Sequence, residues 1–113
     1  MVVVLPWLFR LLIKQDAIAI ALWPFIIVRH PMFKYDARII NHERIHLRQQ
    51  LEMAVLFFYL WYVLEFLYHF TKTRNVDKAY FAISFEREAY YHENDYAYLL
   101  QRRFWSFWKF LGK

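Results

Sequence analysis

The sequence contains no cysteine, one glycine and three prolines in 113 residues. Without cysteine, the chain can form neither a disulfide nor a thiolate metal site, so any bound metal must be held by histidine and carboxylate. Residues 37–111 contain neither proline nor glycine, the two residues that most often end helices and strands. The length is that of one domain, which we assign to residues 1–113.

Aromatic and aliphatic residues are present in excess. Hydrophobic residues make up 60% of the chain and aromatic residues 23%. A small domain buries only about 60–70% of its unfolded surface, so this apolar mass does not all fit inside. The surplus is expected to face a membrane, a partner protein, or both.

Three apolar segments are candidates for membrane contact: residues 1–9, 17–28 and 53–64. Each is shorter than the roughly 20 residues that a spanning helix needs, although accepting Glu65 would extend the third to Phe70 and allow one crossing. We expect a protein at the membrane, either monotopic or single-pass, and favour monotopic. Basic residues flank the segments on both sides, so charge does not assign the side of the membrane.

The net charge of +5 favours contact with anionic lipid headgroups. The basic residues lie beside tryptophan and phenylalanine, and no nucleic-acid-binding motif accompanies them, so we expect no nucleic-acid partner. The aromatic segment 104–110, with its basic neighbours, is typical of a membrane-interface anchor. The alternative is a hydrophobic tail packed on the core or on a partner chain.

The pattern along the chain predicts a mainly α-helical fold with a short extended region upstream, within residues 17–28. Asp36 is a suitable N-cap for a helix that continues into the apolar segment after residue 52. Residues 71–75 are the clearest break after it. A further helix is predicted over residues 84–103.

The stretch INHERIHLRQQ, residues 40–50, carries two histidines four residues apart. On a helix, His42 and His46 lie on one side at a separation that suits two ligands of one ion. Glu43 is turned aside from the ion and can take a proton from the attacking water. This set of residues fits hydrolytic zinc. The alternative is a polar helix face on which Glu43 pairs with a nearby arginine.

A second motif follows downstream, at Glu86 and Ala89 in the stretch SFEREAY. His-Glu-x-x-His followed by a helix with Glu-x-x-Ala resembles the gluzincin class of zinc metallopeptidases, in particular membrane prenyl-protein peptidases and minigluzincins. The resemblance implies that His42, His46 and Glu86 bind Zn²⁺, that Glu43 is the general base, and that the HExxH helix packs against the Glu86 helix. Glu88 is the alternative third ligand.

The chain departs from the gluzincin pattern at two positions. Arg44 fills a position that is normally uncharged, and Tyr90 stands where many members have an aspartate that orients a zinc-bound histidine. Such outer partners affect affinity or activity about ten- to a hundredfold. Asn41, Glu88 and Glu93 are the candidates to replace the aspartate.

Helix geometry limits how Glu86 can return to His46. An unbroken helix to the break near residue 73, followed at once by another helix, would hold these residues about 20 Å apart, at ~1.5 Å per residue. Either the first helix bends or ends near Glu65, or residues 74–83 return in extended form with Ser84 as the next N-cap.

The resulting functional prediction is zinc-dependent hydrolysis of peptides or protein tails near a membrane, with the strand in 17–28 pairing with the substrate. One alternative is a non-catalytic small subunit of a larger membrane protein complex, with a structural or vestigial zinc site. Another is an amphipathic protein that binds lipid without metal.

Overall fold

The computed structural model describes residues 2–12 and 14–111; Met1, Ile13, Gly112 and Lys113, which belong to the predicted domain, lie outside the described residues. The fold is mainly helical with a small sheet, which confirms the predicted class at this level. The helices are α1 (Ala37–Glu52), α2 (Leu56–Thr73), α3 (Val76–Ala82), α4 (Ser84–His92) and α5 (Tyr98–Gln101). The strands are β1 (Val2–Val4), β2 (Ala19–Leu22) and β3 (Phe25–Val28), and 3₁₀ helices cover Pro6–Leu11, Pro31–Tyr35 and Ser106–Phe110.

The sheet has the order β1-β3-β2, with β1 parallel and β2 antiparallel to β3. The predicted extended region is thus a hairpin, which turns at Trp23 and a cis Pro24. The central strand β3 buries Ile26, Ile27 and Val28. The edge strand β2 packs against α1, the helix that carries the two histidines.

Helix α1 begins as its sequence predicts. The Asp36 carboxylate accepts hydrogen bonds from the backbone N–H groups of Arg38 and Ile39, at 3.1 and 3.2 Å, so the predicted N-cap is confirmed. The prediction that this helix runs into the apolar segment is wrong, because α1 ends at Glu52. The chain bends by 112° between α1 and α2, where Ala54 and Val55 have φ values of 53° and 55°.

The route from α2 to α4 also differs from the sequence expectation. The predicted break is confirmed, because Arg74 ends α2 in the left-handed conformation and Asn75 caps α3. Residues 74–83 are not extended, since α3 occupies most of them; the bend at residues 53–55 makes an extended return unnecessary. Ser84 is not the N-cap of α4: its hydroxyl and its N–H both donate to the Glu65 carboxylate.

The hydrophobic core lies between α2, α4 and the C-terminal segment. Its buried members are Met53, Phe58, Ile83, Phe85 and Phe107. Phe58 stacks on Phe85 with ring centroids 4.4 Å apart, which fixes α4 next to α2. Phe107 is fully buried, as expected of a tail packed on the core, while Phe104 and Trp108 of the same segment are exposed.

Within residues 2–12 and 14–111, no single helix is both long and apolar enough to cross a bilayer. Helices α1 and α2 reach that length and composition only as a pair, bent at their junction.

Candidate metal centre

Two imidazoles from α1 and one carboxylate from α4 meet in the interior. His42 Nε2 and His46 Nε2 lie 3.2 and 3.0 Å from Glu86 Oε1, and 3.2 Å from each other. All three residues are buried. The four-residue spacing on α1 brings the rings to one side of the helix, and Glu86 reaches them from the first turn of α4. This group can hold a metal ion.

The outer nitrogen of each imidazole has its own hydrogen-bond acceptor. His42 Nδ1 lies 2.8 Å from Glu93 Oε1, a carboxylate oxygen, which accepts the hydrogen bond. His46 Nδ1 lies 2.8 Å from Gln49 Oε1, whose amide nitrogen donates to the Phe85 carbonyl and to Glu88. In the neutral form of each ring, Nδ1 therefore carries the proton, and the Nε2 lone pair points toward Glu86.

Three electron pairs converging within about 3 Å repel one another unless a cation lies among them. Burial lowers the pKa of His46, but the Glu86 carboxylate, together with Glu43 and Gln49, raises that pKa to about 9. Burial also acts to raise the pKa of Glu86, yet His46 and His42 hold it well below its usual range. The site favours a positive charge, and two neutral imidazoles with one carboxylate are suitable ligands for a divalent cation.

Glu88, the alternative third ligand, lies in a different network. Its carboxylate accepts hydrogen bonds from Gln49, Tyr98 and Arg102. Arg102 also binds Glu52, so this buried charge cluster ties the C-terminal part of the chain to α1 and α4. Glu86, and not Glu88, is the carboxylate that the fold brings to the histidines.

Glu43 follows His42 on α1, is buried, and is not one of the three converging ligand residues. Burial raises the pKa of its carboxyl, against the opposing effect of His46 and His42. None of the residues that the structure describes donates a hydrogen bond to this carboxylate. The predicted alternative, in which Glu43 pairs with a nearby arginine, is not what the structure shows. The side chain of neighbouring Arg44 is exposed.

Two cavities adjoin the site, and Glu43 lines both. The larger, about 450 Å³, is mainly apolar and also contacts His46 and Glu86. The smaller, about 230 Å³, is lined by charged and aromatic side chains, among them Arg38 and Glu93. The ligand cluster thus lies at the wall of a space large enough for an amino-acid side chain, with a carboxylate that borders both cavities.

Tyr90, at one of the two positions that depart from the gluzincin pattern, does not take the role of the missing aspartate. Tyr90 packs its ring on that of His42, with centroids 4.3 Å apart, and it does not orient the imidazole by a hydrogen bond. Glu93, three residues further along the chain, makes that contact. Of the three proposed replacements, Asn41 instead binds backbone carbonyls near the end of α4, and Glu88 binds Arg102.

Two residues of the site are missed by sequence reasoning. Gln49 accepts the hydrogen bond of His46 Nδ1. Its position about one turn after His46 on the same helix is the sequence signal that could have indicated this contact. Tyr62 donates from its hydroxyl to Glu86 Oε2 at 2.6 Å, yet it stands in the apolar segment 53–64, which is predicted only as a candidate for membrane contact. Of the other histidines, His30 is exposed, His69 lies beside Glu65 and His92 stacks on Tyr98.

Comparisons of this chain with protein-family models, with curated protein sequences and with solved structures find no match. The geometry of the site is therefore the main basis for a functional conclusion.

Proposed function

We propose that this protein is a zinc-dependent hydrolase of peptide bonds, of gluzincin type, with His42, His46 and Glu86 as ligands and Glu43 as general base. One observation carries the proposal. Three converging ligand atoms stand beside the carboxylate of Glu43, a buried residue that lines the larger cavity and whose carboxylate receives no hydrogen bond from the described residues. A group built only to stabilise the fold has no need of such a carboxylate.

Zinc is the metal that we propose for this ligand set. Two histidines and a glutamate form a typical catalytic zinc site, in which the bound ion polarises a carbonyl and lowers the pKa of water toward ~7. A structural zinc site has four protein ligands, whereas three come together among residues 2–12 and 14–111. The ligand number supports catalysis over the alternative of a non-catalytic subunit with a structural zinc.

The role proposed for Glu43 follows from its surroundings. Burial raises the pKa of its carboxyl, which strengthens the carboxylate as an acceptor for the proton of the attacking water. The protonated carboxyl then passes that proton to the departing amine, so the proton removed in the first step is returned in the second. Positioning residues support this geometry: Glu93 and Gln49 orient the imidazoles, and Tyr62 orients Glu86.

The edge of the sheet supplies a place for an extended peptide. The Ile18 carbonyl accepts from Arg29 N–H on the β3 side, whereas the Ala21 carbonyl accepts from Gln50 and Tyr59 on the opposite side. Alternate residues of a strand point their backbone groups to opposite sides, so Ala19 points outward, as Ala21 does.

Ala17 and Ala19 line both cavities next to Glu43. We propose that a peptide pairs with this edge by strand addition. Gln50 ends the pairing at Ala21, because its side chain already bonds the Ala21 carbonyl and the Trp23 N–H.

Glu43→Gln is the variant that tests the proposed reaction. Loss of a general base lowers turnover by about a hundred- to ten-thousandfold, so the zinc-loaded variant should retain its metal and lose nearly all cleavage of a fluorogenic peptide library. Arg44→Gln, at the exposed neighbouring position, is the matched control and should behave as the native chain. Full turnover by Glu43→Gln with zinc still bound would refute the assignment.

A further inference from the structure

One face of α2 exposes a continuous row of large apolar side chains to solvent. Its members recur at helical spacing and are between 50% and 80% exposed. We call them the outer face of α2: Leu56, Phe57, Leu60, Leu64, Leu67 and Tyr68. Six such side chains on one helix form a patch of the kind that monomeric soluble proteins rarely leave uncovered.

The distribution of charged side chains on α2 favours contact between its outer face and an anionic surface. The helix has one acidic residue, Glu65, and that side chain turns inward to Ser84 and is only 13% exposed. Its one basic residue, Lys72, lies in the last turn and is exposed, and Arg74 follows directly. The outer face is thus free of negative charge and ends in two cations.

Further apolar surface continues the outer face on both sides. On one side, Val63 is half-exposed and lies next to Leu67 of the outer face. Both side chains line the larger cavity, as does exposed Leu11, and the three form the mouth of the cavity. On the other side, Trp61 contacts Trp108, which is 55% exposed, with ring centroids 6.1 Å apart. Tryptophan at the edge of an apolar face is typical of a membrane interface.

The polarity of the face distinguishes a bilayer from a protein partner. A protein–protein interface of standard size carries about ten hydrogen bonds, but among its six side chains the outer face offers only the Tyr68 hydroxyl. A helix lying in a bilayer surface needs no hydrogen bonds from its apolar side, and its flanking cations attract anionic headgroups.

We propose that the outer face of α2 is the surface by which this protein lies on an anionic lipid bilayer, with α2 parallel to the membrane plane and the mouth of the larger cavity at the membrane. This inference concerns binding alone and does not depend on the proposed hydrolysis. A second copy of the chain, or another protein, is the competing occupant.

Vesicle flotation of the 113-residue chain tests the proposal. The probes are vesicles of phosphatidylcholine alone and vesicles that also contain phosphatidylserine. The native chain should float with both and more strongly with the second. Leu60→Gln/Leu64→Gln should lower the partition coefficient on both by about a hundredfold, because two apolar side chains lose their burial. Lys72→Gln/Arg74→Gln should lower it only with phosphatidylserine, by about fivefold for each charge.

The matched control is Met32→Gln/Tyr35→Gln, which changes two exposed side chains on the 3₁₀ helix before α1 and should bind as the native chain does. Circular dichroism checks that each variant is folded. Running the flotation in the Glu43→Gln background separates this proposal from the catalytic one. The proposal is overturned if the native chain floats with neither vesicle, or if Leu60→Gln/Leu64→Gln floats as well as the native chain. It is also overturned if the native chain is a dimer that does not bind vesicles and the two leucine changes convert it into a monomer.

Discussion

Helices α1 and α2 are consecutive in the chain but opposite in what they bury. α1 buries polar side chains: Asn41, His42, Glu43, His46, Gln49 and Gln50. α2 buries one residue, Phe58, in the hydrophobic core and exposes a row of leucines and aromatics. Burying a polar group costs free energy unless a partner satisfies it. From this contrast we infer that the polar groups of α1 are arranged around the charge of a cation, and that another surface covers the apolar side chains of α2.

The bend at residues 53–55 separates the two environments. Before it, the imidazoles and amides of α1 and the Glu52 carboxylate find partners on α4, on the chain that follows α4 and on strand β2. After it, α2 contributes Tyr62 and Glu65 to the interior by turning them inward. One end of the polar network therefore depends on side chains from the apolar helix.

The largest disruption of the polar interior is expected from Arg102→Met. The Arg102 side chain is fully buried between Glu88 and Glu52, and its removal leaves two carboxylates without their cation. Losing one partner of a buried ion pair lowers the free energy of unfolding by about 3–5 kcal/mol. Urea denaturation measures the change.

Arg103→Met is the control for this substitution, because Arg103 is exposed and surface changes usually fall within about 0.5 kcal/mol. Equal stability of the two variants would contradict the view that the buried charges are held by their pairing.

An intermediate effect is expected from Glu93→Gln, which leaves the ligands in place and weakens the acceptor of His42 Nδ1–H. Changes at such outer partners lower metal affinity about ten- to a hundredfold. Competition with a chromophoric zinc chelator measures the affinity. Asp95→Asn, in the exposed turn just after Glu93, should leave it unchanged, and an unaltered affinity in Glu93→Gln would show that this carboxylate does not tune the site.

The smallest effect is expected on the apolar exterior. Leu60→Gln/Leu64→Gln should change the free energy of unfolding, measured without lipid, by no more than about 0.5 kcal/mol per site, because both side chains are already in water. Phe58→Ala on the same helix should cost about 3–5 kcal/mol, since it opens a cavity in the core. A large loss of stability in the double leucine variant would mean that the outer face of α2 is already covered within the fold.

Local signals in the sequence were sufficient for several parts of the structure. Asp36 caps α1 as predicted, and the predicted break at residues 71–75 ends at Asn75, which caps α3. The i, i+4 spacing of His42 and His46 requires only that α1 be helical. That Glu86 meets them depends on the whole path of the chain, and the gluzincin resemblance, rather than any local pattern, led to the expectation.

Other parts could not be predicted, for physical reasons. Ala54 and Val55 disfavour the positive φ values that they adopt, so the bend has no sequence signature and arises from packing of Met53 and Phe58 into the core. Ser84 resembles an N-cap but serves as a donor, because Glu65 arrives from a separate helix. Tyr62 cannot be told from its aromatic neighbours until the bend directs it to Glu86.

The most direct test of the central claim is the metal content of the purified chain and of His46→Ala, by elemental analysis after equal exposure to zinc. His69→Ala, outside the cluster, is the matched control. We expect stoichiometric zinc in the native chain and in the control, and almost none in His46→Ala. A native chain without bound zinc, or a His46→Ala variant that retains it, would contradict the assignment of His42, His46 and Glu86 as a zinc site.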